Sequence, residues 1–184
     1  MSNFENLVKQ INSSRHVVTA AMRRGIEMES HAAEVYANVA KVGMVNIYPC
    51  GLVINPKCPW LGCSPDRKVY DIQAANEGRN PFGLCEIKVV KEGETDFKNV
   101  RYLEIDPVSK EITLKRNHEY YFQVQCQLGL TGLEWNDFFC YMNDHKYFCQ
   151  RIFFDKNFFQ DSKDKVDVFF FDYFLAGEMY FFNI

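Results

Sequence analysis

Apolar and polar positions follow helical spacing in some stretches of the chain and strand-like runs in others. Helical spacing predicts a short helix within residues 1–14, a longer one at about 15–41, one at 118–131 and a Phe-rich last helix at about 156–182. Short apolar runs bounded by turn residues predict two short strands within 44–55, on either side of a Pro/Gly turn. Further strands are predicted at 60–63, 67–71, 84–90, 102–105, 112–114, 135–142 and 147–154. The chain is therefore expected to contain both helices and strands.

Turn residues predict how these elements begin, end and pair. The signal Asn12-Ser13-Ser14 is expected to start the longer helix, and Asn117 and Gly132 to bound the helix at 118–131. The strand pairs 102–105 with 112–114 and 135–142 with 147–154 are expected to form hairpins. The strands 60–63 and 67–71 are expected to pair in the same way, with 73–81 as a polar loop. Asp66 then lies at the end of a strand.

The predicted strand at 84–90 carries charged residues on one of its two faces. Because successive side chains of a strand alternate, Cys85, Ile87 and Val89 point to the core, and Glu86 and Lys88 share the other face. Two carboxylates, Glu86 and Asp66, are suited to hold Mg²⁺, and a lysine beside them can orient or polarise an attacking water. A Glu-x-Lys pair alone is weak evidence, because most such pairs are solvated surface pairs.

A carboxylate interrupts the apolar stripe of the predicted helix at 15–41. Helical spacing places these residues on one face: Val18, Met22, Gly25, Ala32, Ala33, Tyr36 and Ala40. Glu29 lies in the middle of that face, where an ionised group is costly unless it is paired or bound to metal. Pairing with an arginine or a backbone amide and binding to a metal ion are both open.

Composition narrows the class of protein. The 184 residues suffice for a single domain, with a motif-bearing core at about 15–154 and the aromatic helix after it. The net charge of −3 provides no global basic field for nucleic acid, so any contact with DNA must use local positive charge. The start of the chain lacks the pattern of a signal peptide, and acidic residues interrupt the apolar 166–184 segment. We therefore expect an intracellular protein, in the nucleus or cytoplasm, without a membrane span.

Two further groups of residues have both a structural and a functional interpretation. Cys50, Cys58, Cys63 and Cys85 could surround zinc or an iron–sulfur cluster, but their spacing is poor, and buried reduced thiols are favoured. Gln123 shares a helix face with Tyr120 and Gln127, where glutamines either are ordinary surface or hold a water or a phosphate oxygen.

Four motifs in order point to one family. They are Gly25-x-x-x-Glu29-x-x-Ala32, Cys63-Ser64-Pro65-Asp66, Glu86-Ile87-Lys88 and Tyr121-Phe122-Gln123-Val124-Gln125. Together they resemble the YqaJ-like viral recombinase group, the lambda-type phage exonuclease branch of the PD-(D/E)XK nuclease superfamily. The resemblance covers roughly residues 22–154.

The resemblance implies an α/β fold with a restriction-endonuclease-like core, in which a mixed central sheet is flanked by helices. It implies Mg²⁺-dependent hydrolysis of DNA phosphodiester bonds, 5′ to 3′ from the ends of double-stranded DNA, in recombination or repair, with Mn²⁺ as a substitute. Related phage enzymes form rings around DNA, so a homo-oligomer and a single chain are both open.

The resemblance also assigns roles to residues. Asp66, Glu86, Glu29 and the carbonyl of Ile87 would be the metal ligands. Lys88 would act on the water, and Gln123 would position the water or the scissile phosphate. The contacts to DNA would come from these residues: Arg24, Ser64, Arg67 and Tyr121.

The chain departs from the family pattern at several points. Arg67 stands where the family has glycine, and Val89-Val90 stand where it has Cys-Pro. The family carries an upstream helical segment that helps to grip the 5′ phosphate, and we expect only part of it here. A nuclease fold kept as a DNA-binding or interaction module without turnover is therefore a second hypothesis, and a structure-specific endonuclease a third.

Overall fold

The computed structural model describes residues 3–12 and 19–176, which divide into two compact units. One unit contains residues 3–12 and 156–176, and the other runs from Thr19 to Asp155. Every candidate site residue lies in the second unit. That the whole chain forms a single domain stays a prediction.

In the described residues there are five α-helices: α1 (Asn3–Ile11), α2 (Ala20–Val35), α3 (Ile72–Asn76), α4 (Glu119–Thr131) and α5 (Lys156–Val168). Two of them continue into π-helical turns, α2 into Tyr36–Ala40 and α5 into Phe169–Leu175. The strands of the described residues are β1 (Val45–Pro49), β2 (Val53–Ile54), β3 (Gly62–Cys63), β4 (Arg67–Asp71), β5 (Phe82–Val89), β6 (Leu103–Ile105), β7 (Ile112–Leu114), β8 (Trp135–Asn143) and β9 (Lys146–Phe153).

The predicted helices are present, with different starting points. The longer helix begins at Ala20 rather than near 15, because Thr19 is extended and its hydroxyl accepts the N–H of Met22 at 3.2 Å. Ser13 and Ser14 of the predicted start signal lie outside the described residues. His118 caps α4 in place of Asn117, since its ring Nδ1 accepts the N–H of Tyr120. The last helix is confirmed as far as Leu175, and residues 177–182 lie outside the described part.

The central sheet is mixed, as expected, with the strand order β1-β4-β5-β8-β9. The inner strands β5 and β8 run parallel, and the remaining neighbours are antiparallel. Helix α2 packs on β5, and α4 packs on β8. The α/β architecture with a mixed sheet flanked by helices is therefore confirmed.

Two local predictions are wrong. Strand β3 pairs with β2, not with β4, because β4 lies inside the sheet with both of its edges occupied by β1 and β5. Residues 72–76 form the helix α3 rather than a loop, since the Asp71 carboxylate accepts the N–H of Ala74, which is fully buried. The hairpins β6–β7 and β8–β9 form as predicted.

The hydrophobic core lies between α2 and one face of the sheet. Ala32, Ala33 and Tyr36 of the predicted stripe are buried there against Cys85 and Ile87. Earlier in the helix the stripe fails: the Met22 side chain is 57% exposed, and Val18 lies outside the described residues. The opposite face of β5 carries Leu84, Glu86 and Lys88 toward α4.

Across residues 3–12 and 19–176, no helix is both long enough and apolar enough to cross a membrane.

Candidate active site

Asp66 joins the site where the β4–β5 ladder stops. The last pair of that ladder is Arg67 with Cys85. One step further, the carboxylate Oδ2 of Asp66 accepts the backbone N–H of Ile87 at 2.7 Å. A side chain thus replaces the missing strand partner, and it fixes Asp66 beside the strand that carries Glu86.

Glu86 and Lys88 share one face of β5, as the strand period predicts. The Lys88 ammonium donates to Glu86 Oε1 at 2.5 Å and to Gln123 Oε1 at 3.2 Å. It also lies 4.5 Å from the ring centroid of Tyr120, within the range of a cation–π contact. Strand β5 and helix α4 therefore hold the lysine from two sides, and Gln123 lies next to it.

The Asp66 carboxyl is short of positive charge. Burial raises its pKa to about 7, and the nearby carboxylates of Glu86 and Glu29 add to the rise. The Ile87 N–H and the Lys88 ammonium act in the opposite direction but do not compensate. Such an environment favours a proton or a bound cation at this carboxyl.

Glu29 faces the site from α2, and an arginine engages it. The Arg67 guanidinium donates from one nitrogen to Glu29 Oε1 at 2.7 Å and to the backbone carbonyl of Asp66 at 2.6 Å. Of the two alternatives for this carboxylate, the structure shows the pairing with arginine. In the described part of the chain, no three histidine, cysteine or acidic side chains converge on one point to form a metal site.

Glu86 has a second partner that the sequence did not assign. Gln127 donates from Nε2 to Glu86 Oε2 at 2.6 Å, and its own Oε1 accepts from Asn136 Nδ2 at 2.8 Å. All three residues are at most 1% exposed. Helical spacing had placed Gln127 on the face of Gln123, but Asn136 gave no signal, because it stands inside an apolar strand run.

The other residues expected to contact DNA lie in different surroundings. Ser64 is exposed next to Asp66, and Arg24 is half-buried, with its Nε donating to the Val90 carbonyl at 3.4 Å. Tyr121 is only 5% exposed. The Cζ atom of Arg116 lies over its ring, 5.0 Å from the centroid of the tyrosine ring. This burial argues against a direct contact between the Tyr121 ring and DNA.

The seven cysteines are all free thiols. Burial raises the pKa of the Cys63 and Cys140 thiols to about 12, so these groups are protonated at neutral pH. Zinc binds thiolates rather than thiols. Of the four cysteines considered as metal ligands, Cys58 and Cys85 are buried, and Cys50 and Cys63 are half-buried.

Comparisons with known proteins found a matching family model and similar solved structures. Residues 4–134 match the family model of the YqaJ-like viral recombinase domain. The solved structure of an alkaline exonuclease, LHK-Exo, from Laribacter hongkongensis is 26% identical, with a TM-score of 0.69, and the match covers 98% of this chain and 86% of that chain. The same enzyme in complex with dAMP has the same identity and TM-score, over 96% and 80% of the two chains. Among curated proteins, none matches the sequence.

Proposed function

Because the chain belongs to the family of YqaJ-like viral recombinase domains, we propose that it is a metal-dependent DNA exonuclease that acts in recombination or repair. The observation that carries the proposal is the cluster of Asp66, Glu86, Lys88 and Gln123 on one side of β5. LHK-Exo, one of the similar solved structures, is an alkaline exonuclease. The substrate class we propose is double-stranded DNA with a free end, degraded 5′ to 3′.

The oxygen ligands offered by Asp66, just before β4, and by β5 fit a divalent cation. Mg²⁺ prefers oxygen ligands and keeps several waters. Carboxylates of Asp66 and Glu86 and the Ile87 carbonyl would supply such oxygens, and the raised pKa of Asp66 supports a need for positive charge there. When bound, the metal would supply stabilisation of the negative charge that develops on the phosphate. Mn²⁺ should substitute.

Lys88 and Gln123 are suited to orient the reacting groups. The ammonium has three donors, and after its contacts with Glu86 and Gln123 it retains one for a water or a phosphate oxygen. The Gln123 amide keeps its NH₂ group available to donate to the same ligand. Holding a nucleophile in a fixed position lowers the barrier largely by removing the entropic cost of alignment.

Two residues outside the cluster offer a cation and a hydroxyl group to the DNA backbone. Arg24 on α2 is half-buried, and its Nε donates to the carbonyl of Val90, one residue beyond β5. Ser64 is exposed and lies two residues before Asp66. We propose these two as phosphate contacts. Arg67 is less suited to that role, because its side chain is only 16% exposed and already paired.

A linear duplex with a 5′ phosphate tests the proposal. The strands should carry different fluorophores, and the protein should be incubated with Mg²⁺, with Mn²⁺ or with EDTA. We expect loss of one strand from its 5′ end with either metal and none with EDTA. A covalently closed circular duplex, which has no ends, should remain intact. Equal digestion of the circle would favour the endonuclease alternative.

The pairing of Glu29 with Arg67 also motivates a second candidate, a DNA-binding module without turnover. In that case, the loss of Glu29 as a ligand would leave the metal site too weak for hydrolysis. This alternative predicts tight binding of the linear duplex by fluorescence anisotropy with no strand loss in Mg²⁺ or Mn²⁺. The homo-oligomer and the intracellular location stay predictions.

A further inference from the structure

Arg67 is an internal cation of the acidic site. The three carboxylates of the site, Glu29, Asp66 and Glu86, face two protein cations. Lys88 pairs with Glu86, and Arg67 pairs with Glu29 at 2.7 Å. Among the described residues, Asp66 has the Ile87 N–H as its hydrogen-bond donor and no cation within ion-pair distance.

The position of Arg67 is fixed by its backbone. It is the first residue of β4, with Pro49 of β1 on one side and Cys85 of β5 on the other. Its side chain reaches Glu29 on α2 and folds back to the carbonyl of Asp66, which leaves 16% of it exposed. A guanidinium held by two acceptors at short distance gives up little further freedom when a ligand binds.

The charges of these five side chains limit the number of divalent cations that the site can hold. With all five side chains ionised, the three carboxylates and two cations have a net charge of −1. One bound divalent cation brings the net charge of the site to +1. A second divalent cation would raise the site to three positive charges while competing with Arg67 for Glu29. Many nucleases use two metal ions about 4 Å apart. In this site, Glu29 is the carboxylate that remains for a second ion beside Asp66 and Glu86.

On the basis of the function proposed above, we infer that Arg67 takes the place of a second metal ion. The site then binds one divalent cation, between Asp66 and Glu86, and Glu29 holds Arg67 rather than metal. The guanidinium remains charged at any working pH. It therefore supplies permanent positive charge on the Glu29 side of the site. The glycine that the family pattern has at this position would supply none.

Isothermal titration calorimetry with Mn²⁺ alone measures the number of ions bound without any need for activity. The full chain is compared with Arg67→Ala, Arg67→Lys and Lys68→Ala. We expect one Mn²⁺ in the wild type, in Arg67→Lys and in the control Lys68→Ala, whose side chain is exposed on the neighbouring position. We expect a second Mn²⁺ in Arg67→Ala, because that variant releases Glu29.

A second variant keeps the test decisive if Arg67→Ala fails to fold. Glu29→Gln removes the carboxylate but keeps the shape, and we expect one Mn²⁺ with an affinity within about 3-fold of the wild type. A loss of about 10-fold or more, the usual effect of damaging a metal site, would make Glu29 a ligand and overturn the inference. Two ions in the wild type, or one ion in both the wild type and Arg67→Ala, would also overturn it.

The proposed function fails in a different way. A wild-type chain that binds no Mn²⁺ would contradict metal-dependent hydrolysis itself, and with it the inference. Hydrolysis by the wild type together with an unchanged ion count in Arg67→Ala would contradict the inference alone.

Discussion

Gln127 donates a hydrogen bond to Glu86 at 2.6 Å, and neither residue is more than 1% exposed. A buried carboxylate is expensive unless donors surround it. Here Lys88 donates to Oε1 of Glu86, and Gln127 donates to Oε2. Asn136 donates to the far end of the Gln127 amide, so the NH₂ group must face Glu86. The orientation of Glu86 is therefore fixed by Gln127 and Asn136, which need not contact DNA.

Gln127→Leu should weaken the site through this contact. The change leaves Glu86 Oε2 without its donor, and we expect Mn²⁺ affinity to fall by about 10-fold, the lower end for partners that orient ligands. Stability should fall by about 1–3 kcal/mol, because a buried charged group loses a hydrogen bond. Calorimetric titration and urea unfolding measure the two effects.

Gln125→Leu provides a matched control on the same helix. Gln125 is equally buried, but its amide bonds to the Phe153 carbonyl and the Asp155 N–H, away from Glu86. It should lose stability without losing metal affinity. Equal losses of affinity in both variants would show that Gln127 acts only through the fold.

Asp66 predicts an unusual dependence of stability on pH. Burial and the nearby Glu86 raise its pKa from the ordinary 3.8 to about 7 in the folded state. The folded chain thus keeps a proton that the unfolded chain releases near pH 4. The stability that this group contributes is fully present below about pH 4 and is lost as the pH rises through about 7.

Urea unfolding of the metal-free protein between pH 4 and 8 measures this effect. Asp66→Asn, which cannot ionise, should flatten that part of the profile. A profile with the same slope in both proteins would refute a raised pKa at Asp66. Added Mg²⁺ should change the wild-type profile in the opposite direction, since a metal ion needs the ionised carboxylate and binds better as the pH rises.

Gly83 is required for the packing of β5 against Trp135. A Cβ at this position would lie 2.3 Å from carbons of the Trp135 ring, which is 3% exposed. The same ring stacks on the Arg151 guanidinium at 3.7 Å, so the tryptophan cannot shift without disturbing the ion pairs of Arg151. We expect Gly83→Ala to lower the free energy of unfolding by about 1–3 kcal/mol or more.

Gly51→Ala is the control, because nothing lies within 4 Å of its Cβ position. Thermal unfolding should show a lower midpoint for Gly83→Ala and little change for Gly51→Ala. Similar midpoints for the two variants would mean that the sheet accommodates the methyl group by moving β5.

Periodicity was sufficient to predict much of the site. A strand period of two places Glu86 and Lys88 on one face, and a helical period places Glu29 toward the sheet and Gln123 beside Tyr120. Each of these statements needs only the residues of one element. The predicted pairing of β3 with β4 was wrong because neighbours in sequence do not reveal that both edges of β4 are taken by β1 and β5.

The contacts between elements could not be predicted in this way. Arg67 and Glu29 belong to different elements, 38 residues apart, and their pairing depends on how α2 packs over the end of β4. The contact of Gln127 with Asn136 likewise depends on where α4 crosses β8. A single sequence gives the direction of a side chain along its own element, but not which partner it meets there.

The central claim is that Lys88 and Asp66 serve hydrolysis rather than folding or DNA binding. The most direct test is the rate of strand loss from the 5′-phosphorylated linear duplex in Mg²⁺, for the wild type, Lys88→Ala, Asp66→Asn and the exposed control Lys98→Ala. We predict that Lys88→Ala and Asp66→Asn are slower by about 100-fold or more, with duplex binding retained, and that Lys98→Ala cleaves normally. Cleavage at the wild-type rate by Lys88→Ala would contradict the account.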